Sequence, residues 1–150
     1  MGLIQEIGSG PVALDSVIFI YFIEEHPKYL PLVGAVFSGI DAERWQGVTS
    51  TITLLETLVV PYRRQRQDLA ERYELLLSRS KGLRAIEIDR PLLRDAAKIR
   101  ASLSIRTPDA LQVAAALTAG CSCLLTNDRD LPEIPGLKVL QLEQYLNQSP

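Results

Sequence analysis

Five acidic side chains, Asp15, Glu56, Asp109, Asp128 and Asp130, stand where a carboxylate could do chemistry. Asp15 closes the apolar run Val12-Ala13-Leu14. Glu56 falls between Ile52 and Val60 on a helical wheel, with the hydroxyls of Thr53 and Thr57 elsewhere. A carboxylate bordered by apolar side chains is costly to desolvate unless a cation or donor meets it. Asp109 follows Thr107-Pro108 in a first helical turn, and Asp128 and Asp130 belong to Thr126-Asn127-Asp128-Arg129-Asp130-Leu131. Each has an ordinary explanation when taken alone. A first-turn acid complements the helix dipole, Asn and Asp favour turns, and a Glu at the rim of a core can reach water. Gathered together without a matching set of Lys or Arg, these acids would repel one another. A hard divalent cation removes that repulsion, and oxygen-only ligands suit Mg²⁺ or Mn²⁺. Such a cluster suits phosphodiester chemistry: the ion lowers the pKa of a bound water and neutralises charge on the phosphate, and a neighbouring carboxylate takes the water's proton. The lone His26, before Pro27 in a polar turn, is all that a zinc or Ser-His-Asp scheme could rest on.

The elements that must position these acids follow from periodicity and punctuation. Val12 to Leu14 reads as a strand, and Ser16 is expected to cap a helix over Val17 to Ile23 that is apolar nearly all round. A second helix is expected from about Leu30 to Gly39, a strand over Gly47 to Thr49, and a third helix from Thr51 to Val60 stopped by Pro61. Gln65 to Ser80 carries a helical stripe of Leu69, Tyr73 and Leu76, with Asp68 and Arg72 spaced to pair. Leu83 to Ile88 reads as a strand, and Asp89 caps a helix through Leu92, Ala96, Ile99 and Leu103. Thr107 at the cap, Pro108 at the first position and Gly120 past the end bound another helix, Ala110 to Ala119. Cys123 to Thr126 and Lys138 to Leu140 complete the strands, and Leu142 to Asn147 reads as a short helix. Strands alternate with helices throughout, without hairpin-length loops except at the last pair. This order predicts an α/β fold, a three-layer α/β/α sandwich around a mainly parallel sheet. In such sheets ligands bind outside the carboxyl ends of the strands, where Asp15 and Asp128 fall and where Asp109 can converge.

Composition sets the outer bounds. A chain of 150 residues, 47% hydrophobic and 23% charged, suits one globular domain, expected over 1–150 with its core at about 12–142. A net charge of −2 excludes attraction of nucleic acid by overall charge, though not by a local basic patch. Cys121 and Cys123 are too few for a disulfide framework and read as small buried hydrophobes in a reduced, cytoplasmic protein. No apolar stretch reaches the roughly 18 residues of a membrane span, and Met1 to Pro11 lacks the basic start of a secretory signal.

The ordered pieces Leu14-Asp15-Ser16, Glu56, Thr107-Pro108-Asp109-Ala110 and Thr126 to Leu131 resemble the PIN-domain nucleases, most closely the VapC-type toxins of toxin–antitoxin pairs. The match runs from about Val12 to Leu142. The resemblance implies a Mg²⁺- or Mn²⁺-dependent endoribonuclease acting on RNA, a homodimer, and a cognate antitoxin that covers the acidic groove. It implies that Asp15, Glu56, Asp109 and Asp128 form the catalytic and metal-binding quartet, with Asp130 an auxiliary metal-binding acid. Ser16 and Thr126 match positions where a hydroxyl supports the metal shell. Many relatives carry Asn where this chain has Val17, and Phe where it has Leu131.

Substrate contacts are less defined by the sequence. Arg63, Arg64 and Arg66 read as a solvated cluster, with phosphate or antitoxin contact as the alternative, while Arg100, Arg106 and Arg129 lie near the expected acidic edge. Trp45 reads as a core or dimer residue rather than a base-stacking one. Two competing readings are a receiver-like or hydrolase-like phosphotransfer domain, with Asp15 or Asp128 as acceptor, and a non-catalytic PIN-like binding module. The first needs a Lys after the last strand, and Lys138 precedes it.

Overall fold

The computed structural model describes residues 1–147. In chain order the elements are α1 (Leu3–Ile7), β1 (Val12–Leu14), α2 (Ser16–Ile23), α3 (Leu30–Asp41), β2 (Gly47–Ser50), α4 (Ile52–Arg63), α5 (Gln67–Arg79), β3 (Leu83–Ile86), α6 (Arg90–Ser102), α7 (Thr107–Thr118), β4 (Cys123–Thr126), β5 (Lys138–Gln141) and a 3₁₀ turn (Leu142–Tyr145). The strands form one sheet in the order β3-β2-β1-β4-β5, every pairing parallel, including the last. β1 is central, and the strand order reverses between β1 and β4. That point is where open parallel sheets leave a crevice.

Side chains alternate across the sheet as a period of two requires. Val12, Leu14, Cys123, Leu125 and Leu140 face one layer with Ile18, Phe19, Val33 and Phe37 of α2 and α3. Ala13, Val48 and Leu124 face the other layer, with Leu92 and Ala96 of α6 and Ala110, Val113 and Ala114 of α7. The small residues of α7 let it lie close on β1, β2 and β4. At the base of the first layer the Trp45 indole fills the space beside Gly39, where an added Cβ would stand 1.9 Å from Trp45 Cζ2. Trp45 Nε1 donates to the Val36 carbonyl at 3.1 Å, so this tryptophan is a core residue.

Several boundaries differ from the sequence reading, each for a local reason. The cap of α2 is Asp15 rather than Ser16, its carboxylate accepting from the Ser16 N–H at 2.8 Å. α4 runs through Pro61 to Arg63 instead of stopping there. Proline removes one i→i−4 bond, but in the last turn the ladder is already ending, and the Arg64 N–H still reaches the Val60 carbonyl at 3.0 Å. Thr107 is the first residue of α7 and not its cap: Arg106, with extended backbone, stands at the cap position, and the Thr107 hydroxyl accepts from Arg100 Nη1 at 3.0 Å. Asp68 pairs with Arg66 and not with Arg72, whose guanidinium instead donates to the Ile23 carbonyl at 3.0 Å. β3 ends at Ile86, two residues early, and α1 has no counterpart in the sequence reading. Asp89 caps α6 as expected, accepting from the Leu92 N–H at 3.0 Å.

Candidate active site

Asp15, Glu56, Asp109 and Asp128 line one pocket of about 350 Å³ at the carboxyl ends of β1 and β4. Each arrives by a different route. Asp15 ends β1, where its own N–H donates to the Leu125 carbonyl of β4 at 3.0 Å. Glu56 stands on the second turn of α4, Asp109 in the first turn of α7, and Asp128 just beyond β4. Asp130 is left outside: it is exposed, and it serves the loop by donating its N–H to Asp128 Oδ1 at 2.9 Å.

Hydroxyl groups fix two of these carboxylates. Thr126 Oγ1 donates to Asp15 Oδ2 at 2.7 Å and accepts from the Asp128 N–H at 3.1 Å, tying the two acids to one side chain. Ser16 Oγ donates to Glu56 Oε1 at 2.6 Å. Gln141 Nε2 holds the Asp128 carbonyl at 2.8 Å, and Asn127 Nδ2 donates to the Tyr21 hydroxyl at 3.2 Å.

Beneath the pocket lies a polar network that the sequence reading did not anticipate. Thr49 Oγ1 donates to the Leu14 carbonyl at 2.8 Å and lies 2.7 Å from Thr53 Oγ1. Thr53 Oγ1 accepts from Gln112 Nε2 at 2.7 Å and lies 3.1 Å from Ser16 Oγ. Gln112 Oε1 accepts from the Ser50 N–H at 3.1 Å. Its signal in the sequence was one amide, Gln112, inside an otherwise small and apolar run, Ala110 to Leu117. The hydroxyl face of α4, whose direction the helical wheel leaves open, is the inward one. The helix buries Thr53 and Thr57 and turns Leu55, Val59, Val60 and Tyr62 outward.

Crowding leaves an electrostatic mark. The carboxyl of Asp15 titrates above the ordinary aspartate range, first because it is desolvated and then because Glu56 and Asp128 repel its charge; the Thr126 and Ser16 hydrogen bonds oppose the rise. Asp109 is raised in the same way, by desolvation and then by Asp128 and Asp15, with Arg106 opposing. Arg106 is the basic residue of the pocket wall. Among the other expected cations, Arg129 pairs with Glu143 and Arg66 with Asp68, while Arg63 and Arg64 lie exposed at the end of α4. Lys138 pairs with Glu6 at the amino end of β5, the opposite end of the sheet from the acids. The phosphotransfer reading therefore lacks its lysine at the pocket.

A family comparison decides what kind of fold carries this pocket: residues 12–137 match the PIN domain. The chain belongs to the PIN domain family. No curated protein matches it in sequence. Among solved structures, this PIN domain is similar in fold to a toxin–antitoxin complex from Klebsiella pneumoniae, with a TM-score of 0.66 and 21% identity over 88% of this chain and 98% of that one. It is also similar to VapBC2 from Rickettsia felis bound to a promoter DNA fragment (TM-score 0.68, 19% identity, 87% and 97% covered). A third similar structure is VapC20 of Mycobacterium tuberculosis, a toxin that cleaves the sarcin–ricin loop (TM-score 0.65, 15% identity, 80% and 92% covered). At these identities the likeness is one of fold.

The donor set of this PIN domain fits a small hard cation. All four pocket acids offer oxygen, and Mg²⁺ commonly takes one or two carboxylates and completes its shell with water. Among the described residues, no three His, Cys, Asp or Glu side chains are grouped closely enough to hold one ion by themselves. The arrangement thus suits a hydrated ion and not a fully caged one.

Proposed function

We propose that this PIN domain is a Mg²⁺- or Mn²⁺-dependent endoribonuclease, one nuclease unit spanning the chain and acting as the toxin of a type II toxin–antitoxin pair. The observation that carries the reading is the meeting of Asp15, Glu56, Asp109 and Asp128 in one pocket at the strand-order reversal of a PIN fold. Asp15, Glu56, Asp109 and Asp128 would surround a hydrated ion and reach it partly through water, with Asp130 as an outer support. The bound ion supplies an acidified water and offsets charge on the phosphate. Thr126 keeps Asp15 and Asp128 in fixed relation, so the ligands need little rearrangement. Glu56 is held at Oε1 by Ser16, leaving its second oxygen to take the proton of the attacking water.

A cognate antitoxin is the proposed protein partner, and a homodimer the proposed assembly. Support for a protein-covered surface comes from the outward Leu55, Val59, Val60 and Tyr62 of α4, the first of them 61% exposed. The solved toxin–antitoxin complexes of similar fold point the same way. No described helix is long and apolar enough to cross a membrane, which accords with a proposed cytoplasmic site of action.

Asp15→Asn tests the assignment, since Asn keeps the cap geometry of α2 while removing the charge. Cleavage of cellular RNA in Mn²⁺ should fall by about a thousandfold and growth arrest on expression should disappear. Cleavage at the wild-type rate would overturn the reading.

A further inference from the structure

Arg106 stands at the pocket mouth immediately before α7, with its side chain 77% exposed. Its Nε lies 3.4 Å from Asp109 Oδ2, and its Nη2 lies 3.8 Å from Asp128 Oδ2. Charge-assisted N–H···O bonds normally close to about 2.7–2.9 Å, so the guanidinium bridges these carboxylates loosely. The other two arginines of this edge are committed: Arg100 donates to the Ile105 carbonyl at 3.1 Å and to Thr107 Oγ1 at 3.0 Å, and Arg129 pairs with Glu143. A divalent ion held by Asp109 and Asp128 would compete with Arg106 for the same oxygen lone pairs. A doubly charged ion wins that competition, and little packing restrains a stem that is mostly in solvent.

We propose that Arg106 is a displaceable counter-ion: it balances Asp109 and Asp128, yields them to the divalent ion, and then takes a backbone phosphate of the RNA. This rests on the nuclease reading above. Displacement leaves the guanidinium beside Asp109, because its backbone is fixed at the start of α7. Its fork of donors matches phosphate oxygens better than a point charge would. Arg106 therefore opposes one ligand of the site and favours the other.

Replacing it should have effects of opposite sign. In Arg106→Ala, calorimetric titration with Mn²⁺ should show affinity about two- to fivefold tighter than in wild type, the span an exposed ion pair allows. Binding of a fluorescent, phosphorothioate-substituted single-stranded RNA in saturating Mn²⁺ should weaken roughly tenfold, as expected for a lost charged contact. Over a NaCl series, the slope of log affinity against log salt should shrink by about 0.7, the signature of one lost phosphate contact. Arg106→Lys should restore the slope, which a merely structural role would not predict. Mn²⁺ affinity that is unchanged or weaker in Arg106→Ala overturns the proposal, as does an unchanged salt slope. Wild-type protein that binds Mn²⁺ but cleaves no RNA overturns the ribonuclease reading alone, because the Mn²⁺ titration still scores the counter-ion.

Discussion

Two polar regions share the carboxyl end of the sheet, and they are built on opposite terms. The lower one, Thr49, Ser50, Thr53, Gln112 and Ser16, is buried and neutral, and its donors meet acceptors in sequence from the Leu14 carbonyl to Glu56. The upper one, Asp15, Asp109 and Asp128, is charged, partly solvated and mutually repulsive, with Arg106 only loosely against it. Buried neutral groups stabilise a fold when every hydrogen bond is made. Clustered carboxylates destabilise it until something positive arrives. The difference teaches where this protein keeps its rigidity and where it keeps its reactivity: a satisfied floor under an unsatisfied mouth.

The floor should be the more sensitive to substitution. Gln112→Leu preserves volume but leaves the Ser50 N–H without its acceptor and Thr53 without its donor. It should cost about 3 kcal/mol in urea unfolding, in keeping with one orphaned buried N–H and one further buried hydrogen bond lost. A loss under about 0.5 kcal/mol would mean that the floor contributes nothing special. The mouth should respond to metal. Mn²⁺ at a hundred times its dissociation constant should stabilise wild type by about 2.7 kcal/mol, read as a rise in melting temperature, and the rise should vanish in Asp109→Asn/Asp128→Asn.

The smallest effect should have the sign opposite to that at the floor. In a chelator, Asp15→Asn should be more stable than wild type by about 1 kcal/mol at neutral pH, or roughly 2–4 °C. The folded state holds the Asp15 proton to higher pH than the unfolded chain does. Wild-type stability should therefore fall as pH rises from the ordinary aspartate value of 3.8 through the raised one, then level off. The difference curve between variant and wild type isolates Asp15 together with the pocket acids coupled to it, because distant carboxylates cancel. A flat difference curve would remove the repulsion from the account.

Alternating elements and boundary residues made the architecture legible, because strand–helix order and right-handed crossover leave few arrangements. Asp15, Asp109 and Asp128 were legible for a related reason: strand ends and first helical turns have fixed places in a parallel sheet. Glu56 was only half legible. Its helical wheel told which residues flank it, but not that Thr53 and Thr57 face inward, since a buried hydroxyl face is decided by partners on other elements. Gln112 escaped for the same reason, its partners Ser50 and Thr53 lying about sixty residues away in the chain. Pro61 misled because proline's cost depends on how near the helix end it lies. Asp130 is exposed and its N–H braces Asp128, a backbone role that spacing alone does not show.

The place of β1 bears on how the protein comes into being. Its neighbour β2 is synthesised soon after it, but its other neighbour, β4, belongs to the last quarter of the chain. Until Leu125 and Thr126 have left the ribosome, Asp15 has neither its backbone partner nor the hydroxyl that anchors it, and Asp128 does not yet exist. The pocket therefore takes its final form only when β4 docks beside β1 and Gln141 of β5 braces the Asp128 carbonyl, long after Asp15 itself has been made.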